Sequence, residues 1–249
     1  MEARADTTGR RRAYNAPSSA NPNPNIRAAY ARARERVSSR TFAQEWDAGF
    51  IDDGGVIFRG VNAVSNLAPG FPEPGHEYVI GRDWARSNDG SVSSVWDIET
   101  RNEVWLEIEF GIPYGLQIQR LKELAGIWND ALVVAETNGL GDPLIEQSAA
   151  AGIRIDRWLT TNLSKAIGVD ALSLSIERGR VRIQDSPAGL LQMEAFTSAR
   201  TPSGLIKYGA PPGFMDDVVM ARIIAHGSLV DWPNDDETET AEAPTGEIA

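Results

Sequence analysis

Apolar positions along the chain fall into runs with two periods, and the switches between them predict the elements. Ile26, Tyr30, Ala33 and Val37 recur at helical spacing, so a helix is expected from about 26 to 37. Phe42, Trp46 and Phe50 repeat every four residues and predict a second, short helix. Asp52-Asp53-Gly54-Gly55 reads as a turn, Val56-Ile57-Phe58 as a short strand, and the Pro/Gly-rich stretch 69–75 as a linker. From Tyr78 the pattern becomes strand-like. Tyr78 to Trp84, Ser91 to Ile98 and Glu103 to Phe110 are three strands separated by short turns at 88–90 and 99–102, which predicts an antiparallel meander. A helix follows from Tyr114 to Trp128, then a strand from Leu132 to Glu136 that runs into Thr137-Asn138-Gly139-Leu140-Gly141. Asp142-Pro143 suits the cap and first position of the next helix. Ile153 to Trp158 is a strand, Asn162 to Arg178 a helix, Val181 to Ile183 a short strand, Gly189 to Ala199 a helix and Leu205 to Tyr208 a short strand. Pro212-Gly213 opens a last helix with Asp216 and Asp217 in its first turn. A meander followed by strands alternating with helices gives an α/β fold: a mixed sheet, antiparallel then parallel, with helices on both faces.

Within that order the acidic residues take on meaning. Asp83 stands near the end of the first strand of the meander and Glu136 ends the strand after the first long helix. If those strands are neighbours, both carboxylates leave the sheet at one edge. Asp216 and Asp217 begin the last helix, where the positive end of the helix dipole favours anions. Carboxylates gathered this way repel one another unless a cation joins them. An all-oxygen donor set selects Mg²⁺ or Mn²⁺ over zinc. Two such ions activate a water and stabilise the leaving oxygen in phosphodiester hydrolysis. Asp83 and Glu136 are the expected bridging and binding ligands and Asp217 the expected third. Asp216 is either a ligand of the second ion or a partner outside it.

Composition narrows the possibilities without choosing among them. The chain of 249 residues has no cysteine, which excludes thiolate catalysis, disulfides and Cys-ligated zinc. No apolar run approaches a membrane span, and the polar, Arg-rich N-terminus lacks the apolar stretch of a secretory signal. A net charge of −11 argues against nucleic-acid binding until it is divided along the chain. Residues 1–40 hold nine arginines, while residues 229–249 hold seven acids and no base. Residues 1–25 read as an extended or disordered arm, and the tail from Asp231 as a disordered acidic segment that could mimic DNA. The organisation expected is an arm and helical linker over 1–65, a catalytic domain over 66–228 and a tail over 229–249.

Local sequence adds a resemblance. Tyr78-Val79-Ile80-Gly81-Arg82-Asp83-Trp84-Ala85, followed by Asp89-Gly90-Ser91, resembles the first nuclease motif of tailed-phage large terminases. Val133-Val134-Ala135-Glu136-Thr137-Asn138-Gly139-Leu140-Gly141 is similar to their second, Thr161 to Lys165 to their Thr-x-x-x-Lys segment, and Gly213 to Val219 to their final Asp-Asp motif. Asn21-Pro22 and Phe42-Ala43-Gln44-Glu45-Trp46 resemble the stretch joining ATPase to nuclease in that family. The resemblance runs from about residue 14 to 228. It implies an RNase H-like fold and two-metal cleavage of double-stranded DNA during genome packaging in the host cytoplasm, with a small terminase subunit and a portal as partners. One departure is large: the chain contains no Gly-x-x-x-x-Gly-Lys-[Ser/Thr] loop. An ATPase motor would therefore have to come from a separate chain, or this gene is truncated.

Arg154, Arg157, Lys165, Arg178, Arg180 and Arg182, extended by Arg200 and Lys207, form the densest basic run and are the expected phosphate contacts. His76 and His226, the two histidines, are read as structural, His226 suiting a helix C-terminus. The tryptophans near predicted strands and helices are read as core. Two other readings stay open: a different RNase H-like nuclease, such as a junction resolvase or an RNA–DNA hybrid cutter, or a non-catalytic DNA-binding packaging module.

Overall fold

The computed structural model describes residues 16–48, 56–85, 90–139, 141–202 and 205–229. The expectations for the first fifteen residues, Phe50, the turn at 52–55, most of the turn at 88–90 and the acidic tail fall outside these residues.

Helix α1 (Pro24–Arg36) starts where Asn23 accepts from the Asn25 amide and Pro24 occupies the first turn. Helix α2 (Ser39–Glu45) is capped by Ser38. The run Val56-Ile57-Phe58 is not a strand. Ile57 and Phe58 are instead plugs in the core, 1% and 0% exposed, ahead of a short helix α3 (Val61–Val64) and strand β1 (Ser65–Leu67). Among the described residues no strand pairs with this run; Ile57 and Phe58 bury their side chains from a turn while Val56 stays exposed. The core therefore crosses the boundary drawn at residue 65: Ile57, Phe58, Val61 and Val64 pack in one cluster with Val79, Leu172 and Ile223.

Strands β2 (Tyr78–Asp83), β3 (Gly90–Asp97) and β4 (Glu103–Phe110) form the expected antiparallel meander. Helix α4 (Tyr114–Ile127) carries the chain back to β5 (Leu132–Glu136), which pairs parallel to β2. Helix α5 (Gly141–Ala150) leads to β6 (Ile155–Trp158), parallel to β5. The five-stranded order is β4-β3-β2-β5-β6, the mixed sheet expected from the sequence. Residues Tyr78, Ile80, Val133 and Ala135 point to one face and meet Ile118, Leu121 and Ile145 of α4 and α5. Val79 and Val134, one position on, point to the other face. They meet α6 (Asn162–Glu177) and α8 (Asp217–Gly227).

Between those last two helices lie β7 (Ile183–Gln184), which pairs with β1, then α7 (Pro187–Ala195), β8 (Thr197–Arg200) and β9 (Ile206–Gly209). The helix expected to reach Ala199 stops at Ala195, because Thr197–Arg200 pairs antiparallel with β9 and Phe196 is drawn fully into the core. Ser186-Pro187, a cap followed by a first-turn proline, was the sequence signal for where α7 begins. Among the described residues no helix is long and apolar enough to cross a membrane.

Candidate metal centre

Strand register puts the first two carboxylates side by side. Gly81 pairs with Val134 and Arg82 with Ala135 in the parallel β2–β5 ladder, so Asp83 and Glu136 end their strands one step further on, level with each other. Alternation places both on the face covered by α8. What lets α8 lie so close is Gly81. A methyl group there would collide with the Ala221 carbonyl oxygen and come within 2.6 Å of the Ala225 amide. Every residue of α8 from Val218 to Gly227 is buried. With Ala221 and Ala225 over Gly81, the helix runs back along β2 and its first residue, Asp217, reaches the Asp83 end of the strand.

Asp216 occupies the position before α8 and makes no cap bond with its side chain; Gly213, at φ 90°, turns the chain into the helix. The helix expected to open at Pro212-Gly213 thus starts at Asp217. The Asp216 carboxylate faces Lys165 of α6, with Nζ–Oδ2 at 3.1 Å. The set is coupled through Asp83, whose pKa is raised well above the usual carboxylate range. Burial is the main cause, followed by the charges of Glu136 and Asp217, a hydrogen bond with Glu136 and the charge of Asp216. Glu136, Asp216 and Asp217 thus all lie near enough to Asp83 to act on its charge. They are not drawn tight: among the described residues, His76, Asp97 and Glu99 are the trio with ligand atoms all within 4.8 Å of one another. Mutual repulsion opposes closer approach of four carboxylates.

Thr137, Asn138 and Gly141, after β5, are each tied to neighbouring backbone. Gly141 packs so close beneath Glu136 that a Cβ would overlap its carbonyl oxygen. Asn138 donates to the Thr160 carbonyl at 2.7 Å, and Thr137 N–H to that of Trp158 at 2.9 Å. Asp142 lies within the first turn of α5, not before it, and accepts from Arg157 Nε at 2.9 Å. Thr161 and Ser164 cap α6 reciprocally, which sets the turn carrying Lys165 beside Asp216.

The fold has solved counterparts. The large terminase nuclease of thermophilic phage G20c with bound magnesium matches with a TM-score of 0.64 at 30% identity, over 69% of this chain and 96% of that one. The chain belongs to the large terminase nuclease family. The nuclease domain of the Thermus phage P74-26 large terminase matches at 29% identity with a TM-score of 0.62, over 69% of this chain and 94% of that domain. The large terminase subunit of Thermus virus P23-45 is 30% identical over 213 residues, 82% of this chain and 44% of that protein. The chain thus spans under half the length of the curated relatives it matches. No family model matches it.

Against the terminase nuclease fold, the basic run read from the sequence divides in two. Lys165 lies at the acidic edge, whereas Arg157, level with Ala135 on β6, is on the opposite face of the sheet, paired with Asp142 of α5. Arg154 is at the other end of β6, donating to the Asp130 carbonyl. Arg178, Arg180 and Arg182 follow the far end of α6, about 20 Å from Lys165 along a helix rising 1.5 Å per residue. Arg178 donates there to the Arg34 carbonyl, and the Arg182 amide to Asn102. Arg200 ends β8, opposite Ile206 of β9, with Lys207 next along.

Two buried ion pairs were not foreseen. Arg82, adjacent to Asp83 but pointing to the opposite face, lies fully buried against Glu109 at 3.1 Å and donates to Ser93 and Gln117. Arg222 of α8 meets Glu103 at 2.7 Å with both side chains at 0% exposure, and Glu103 also accepts from Ser94 and the Gln184 amide. A charged residue inside a run otherwise read as a buried strand was the signal for Arg82, because buried charge demands a partner. His226 is structural but not for the reason expected. It is buried against Ser175 and Trp96, and burial lowers its pKa to about 4, so it sits neutral at the helix end.

Proposed function

We propose that this chain is a metal-dependent endonuclease that hydrolyses phosphodiester bonds of double-stranded DNA during phage genome packaging. The observation that carries the reading is the gathering of Asp83, Glu136, Asp216 and Asp217 at one sheet edge, where burial and the neighbouring acids raise the pKa of Asp83. Their donor atoms are all carboxylate oxygens, which fits hard divalent ions such as Mg²⁺ or Mn²⁺. Two such ions, when bound, would supply a water of lowered pKa and a counter-charge for the leaving oxygen. Support also comes from the G20c nuclease, seen with bound magnesium and, separately, with bound cobalt.

The chain's own residues have distinct tasks in this reading. Asp83 and Glu136 are placed by the β2–β5 register, and Asp217 by the packing of α8 on Gly81, so cations would draw their side chains together from backbone positions already set. Lys165, paired with Asp216 at 3.1 Å, can turn its ammonium to a DNA phosphate once that carboxylate has a cation. Arg157, on the opposite face and paired with Asp142, would reach DNA only where the duplex passes the α5 side of the sheet. Arg154, Arg178, Arg180 and Arg182 are too far round the fold to share that phosphate; if they bind DNA they do so along a second stretch of duplex. Translocation would require an ATPase on another chain or elsewhere in a longer polypeptide, acting with a small terminase subunit and a portal in the host cytoplasm.

Plasmid cleavage tests the reading, with Mn²⁺, Mg²⁺ or EDTA, on the native chain and on Asp83→Asn. Nicking and linearisation that need metal and vanish in the variant are expected. A folded native chain that binds duplex DNA yet cleaves nothing with either metal would favour the packaging-module reading. Preference for a four-way junction or an RNA–DNA hybrid over duplex would reassign the substrate.

A further inference from the structure

The far end of β2 carries a second group of ligand-type side chains that the nuclease chemistry does not use. His76 precedes β2, Asp97 ends β3, and Glu99 lies in the turn to β4. Asp97 pairs with Tyr78, five residues before Asp83, so the group is about 17 Å from the acidic edge at 3.4 Å per strand residue. Each of the three offers one ligand atom, and the atoms lie within 4.8 Å of one another. His76 Nδ1 is 2.8 Å from Asp97 Oδ2 and 3.8 Å from Glu99 Oε2. A tetrahedral ion with bonds of ~2.0–2.2 Å holds its ligands roughly 3.4 Å apart, between those two distances.

The way each group is held supports more than a hydrogen-bonded turn. Asp97 is the fixed member, its side chain 4% exposed. Its Oδ1 accepts from the Glu99 and Thr100 amides at 2.9 and 3.0 Å and builds the turn, so Oδ2 is left for His76. His76 and Glu99 are more exposed, at 26% and 44%, and Glu99 is kept beside the group by the Glu77 amide, which donates to Oε1 at 3.1 Å and Oε2 at 3.2 Å. On the other side of the imidazole, Nε2 is 3.6 Å from Glu73 Oε2. A carboxylate on the non-ligating nitrogen is the usual partner that orients a metal-bound histidine. Three carboxylates thus surround one imidazole.

We propose that His76, Asp97 and Glu99 form a second divalent-cation site, suited to a transition ion of the zinc type, with water completing the coordination. Its nitrogen donor separates it from the acidic edge. Imidazole selects zinc-like ions, and an all-carboxylate set selects magnesium and manganese. The ion would take the place of the Nδ1 proton now shared with Asp97. It would staple the 70–77 segment to the β3–β4 turn and so brace β2 from the end opposite Asp83. The inference does not depend on the nuclease reading.

Zn²⁺ titration of the full chain, followed by calorimetry and thermal unfolding, and Co²⁺ titration followed by visible absorption provide the test. Asp83→Asn weakens the acidic edge, and His76→Gln and Glu99→Gln each remove one proposed ligand. One Zn²⁺ equivalent should persist in Asp83→Asn and raise its Tm. Its affinity should fall at least tenfold in both His76→Gln and Glu99→Gln, with loss of the Co²⁺ bands. Equal Zn²⁺ affinity and Tm shift in the native chain, His76→Gln and Glu99→Gln would overturn the proposal, as would the absence of any Zn²⁺ equivalent in Asp83→Asn. Because Glu99 is exposed, its variant keeps the test intact should His76→Gln fold poorly.

Discussion

Gly81 and Asp217 are linked through α8: the absence of a side chain at Gly81 lets Ala221 and Ala225 sit directly on β2, and that contact delivers Asp217, one helical turn earlier, to the end of the same strand beside Asp83. An acid on the last helix, proposed as a metal ligand, is thus positioned by a glycine in the first strand of the sheet.

Gly81→Ala should therefore damage stability and activity together. The added methyl meets backbone atoms, which cannot rotate away, so α8 must lift from the sheet. A loss of about 2–3 kcal/mol is expected from overpacking of this kind. Urea unfolding measures the first effect and metal-dependent plasmid cleavage the second. A variant with native stability and native cleavage would show that the helix tolerates displacement.

Asp83→Asn should abolish cleavage while making the metal-free protein more stable. Asp83 has its pKa raised chiefly by burial, so the folded state holds a proton that the unfolded state releases. The stability tied to it is present at pH below the ordinary aspartate value and is lost as pH rises through the raised one. At pH 7 in EDTA the neutral amide removes that penalty, and a gain of roughly 1 kcal/mol is expected, in the range of substitutions that relieve active-site strain. Thermal unfolding in EDTA at pH 5 and pH 8 checks the sign, with the larger gain at pH 8. With Mg²⁺ the order should reverse, because the native chain alone keeps its full ligand set.

Lys165→Ala separates phosphate binding from metal binding. Removal of one phosphate contact should lower the slope of log affinity against log salt by about one and weaken duplex binding without sequence preference. Asp216 loses its ammonium partner at 3.1 Å, so metal affinity should hold or rise. Filter binding across a salt series, with Ca²⁺ in place of the catalytic metal, reads out the first. A slope unchanged from the native chain would remove Lys165 from the DNA interface.

His226 makes stability fall on the acid side. Its folded pKa is lowered to about 4, mainly by burial. The unfolded state therefore takes up a proton below the ordinary histidine value near 6.5 while the folded state does not. The stabilisation is complete above about pH 6.5 and is lost progressively as pH falls toward 4, amounting to about 3 kcal/mol over that window. Urea unfolding between pH 4 and pH 7 should show this slope in the native chain and a flatter one in His226→Gln, which retains a donor toward Ser175.

Much of this was legible along the chain. The meander, the return through α4 to β5 and the carboxylates at both strand ends follow from period and turn chemistry, which are local. The errors were also local in origin. Val56-Ile57-Phe58 has the composition of a strand but pairs with no strand among the described residues, and residues 197–200 leave the helix because β9 offers them an edge. The basic run 154–182 reads as one patch because sequence proximity hides the 16 residues of α6 that carry its members to opposite ends of the fold.

By itself, then, the sequence determined the elements, their order and the acids placed at their ends, because dihedral preference, alternation and capping act over a few residues. Only the tertiary structure decided which of those acids meet, that Gly81 is the seat of α8, that Arg82 and Arg222 are buried against Glu109 and Glu103, and that His76 finds Asp97 and Glu99. Each of these is a contact between residues distant in sequence, fixed by strand register and close packing, and neither has a period that can be read along a chain.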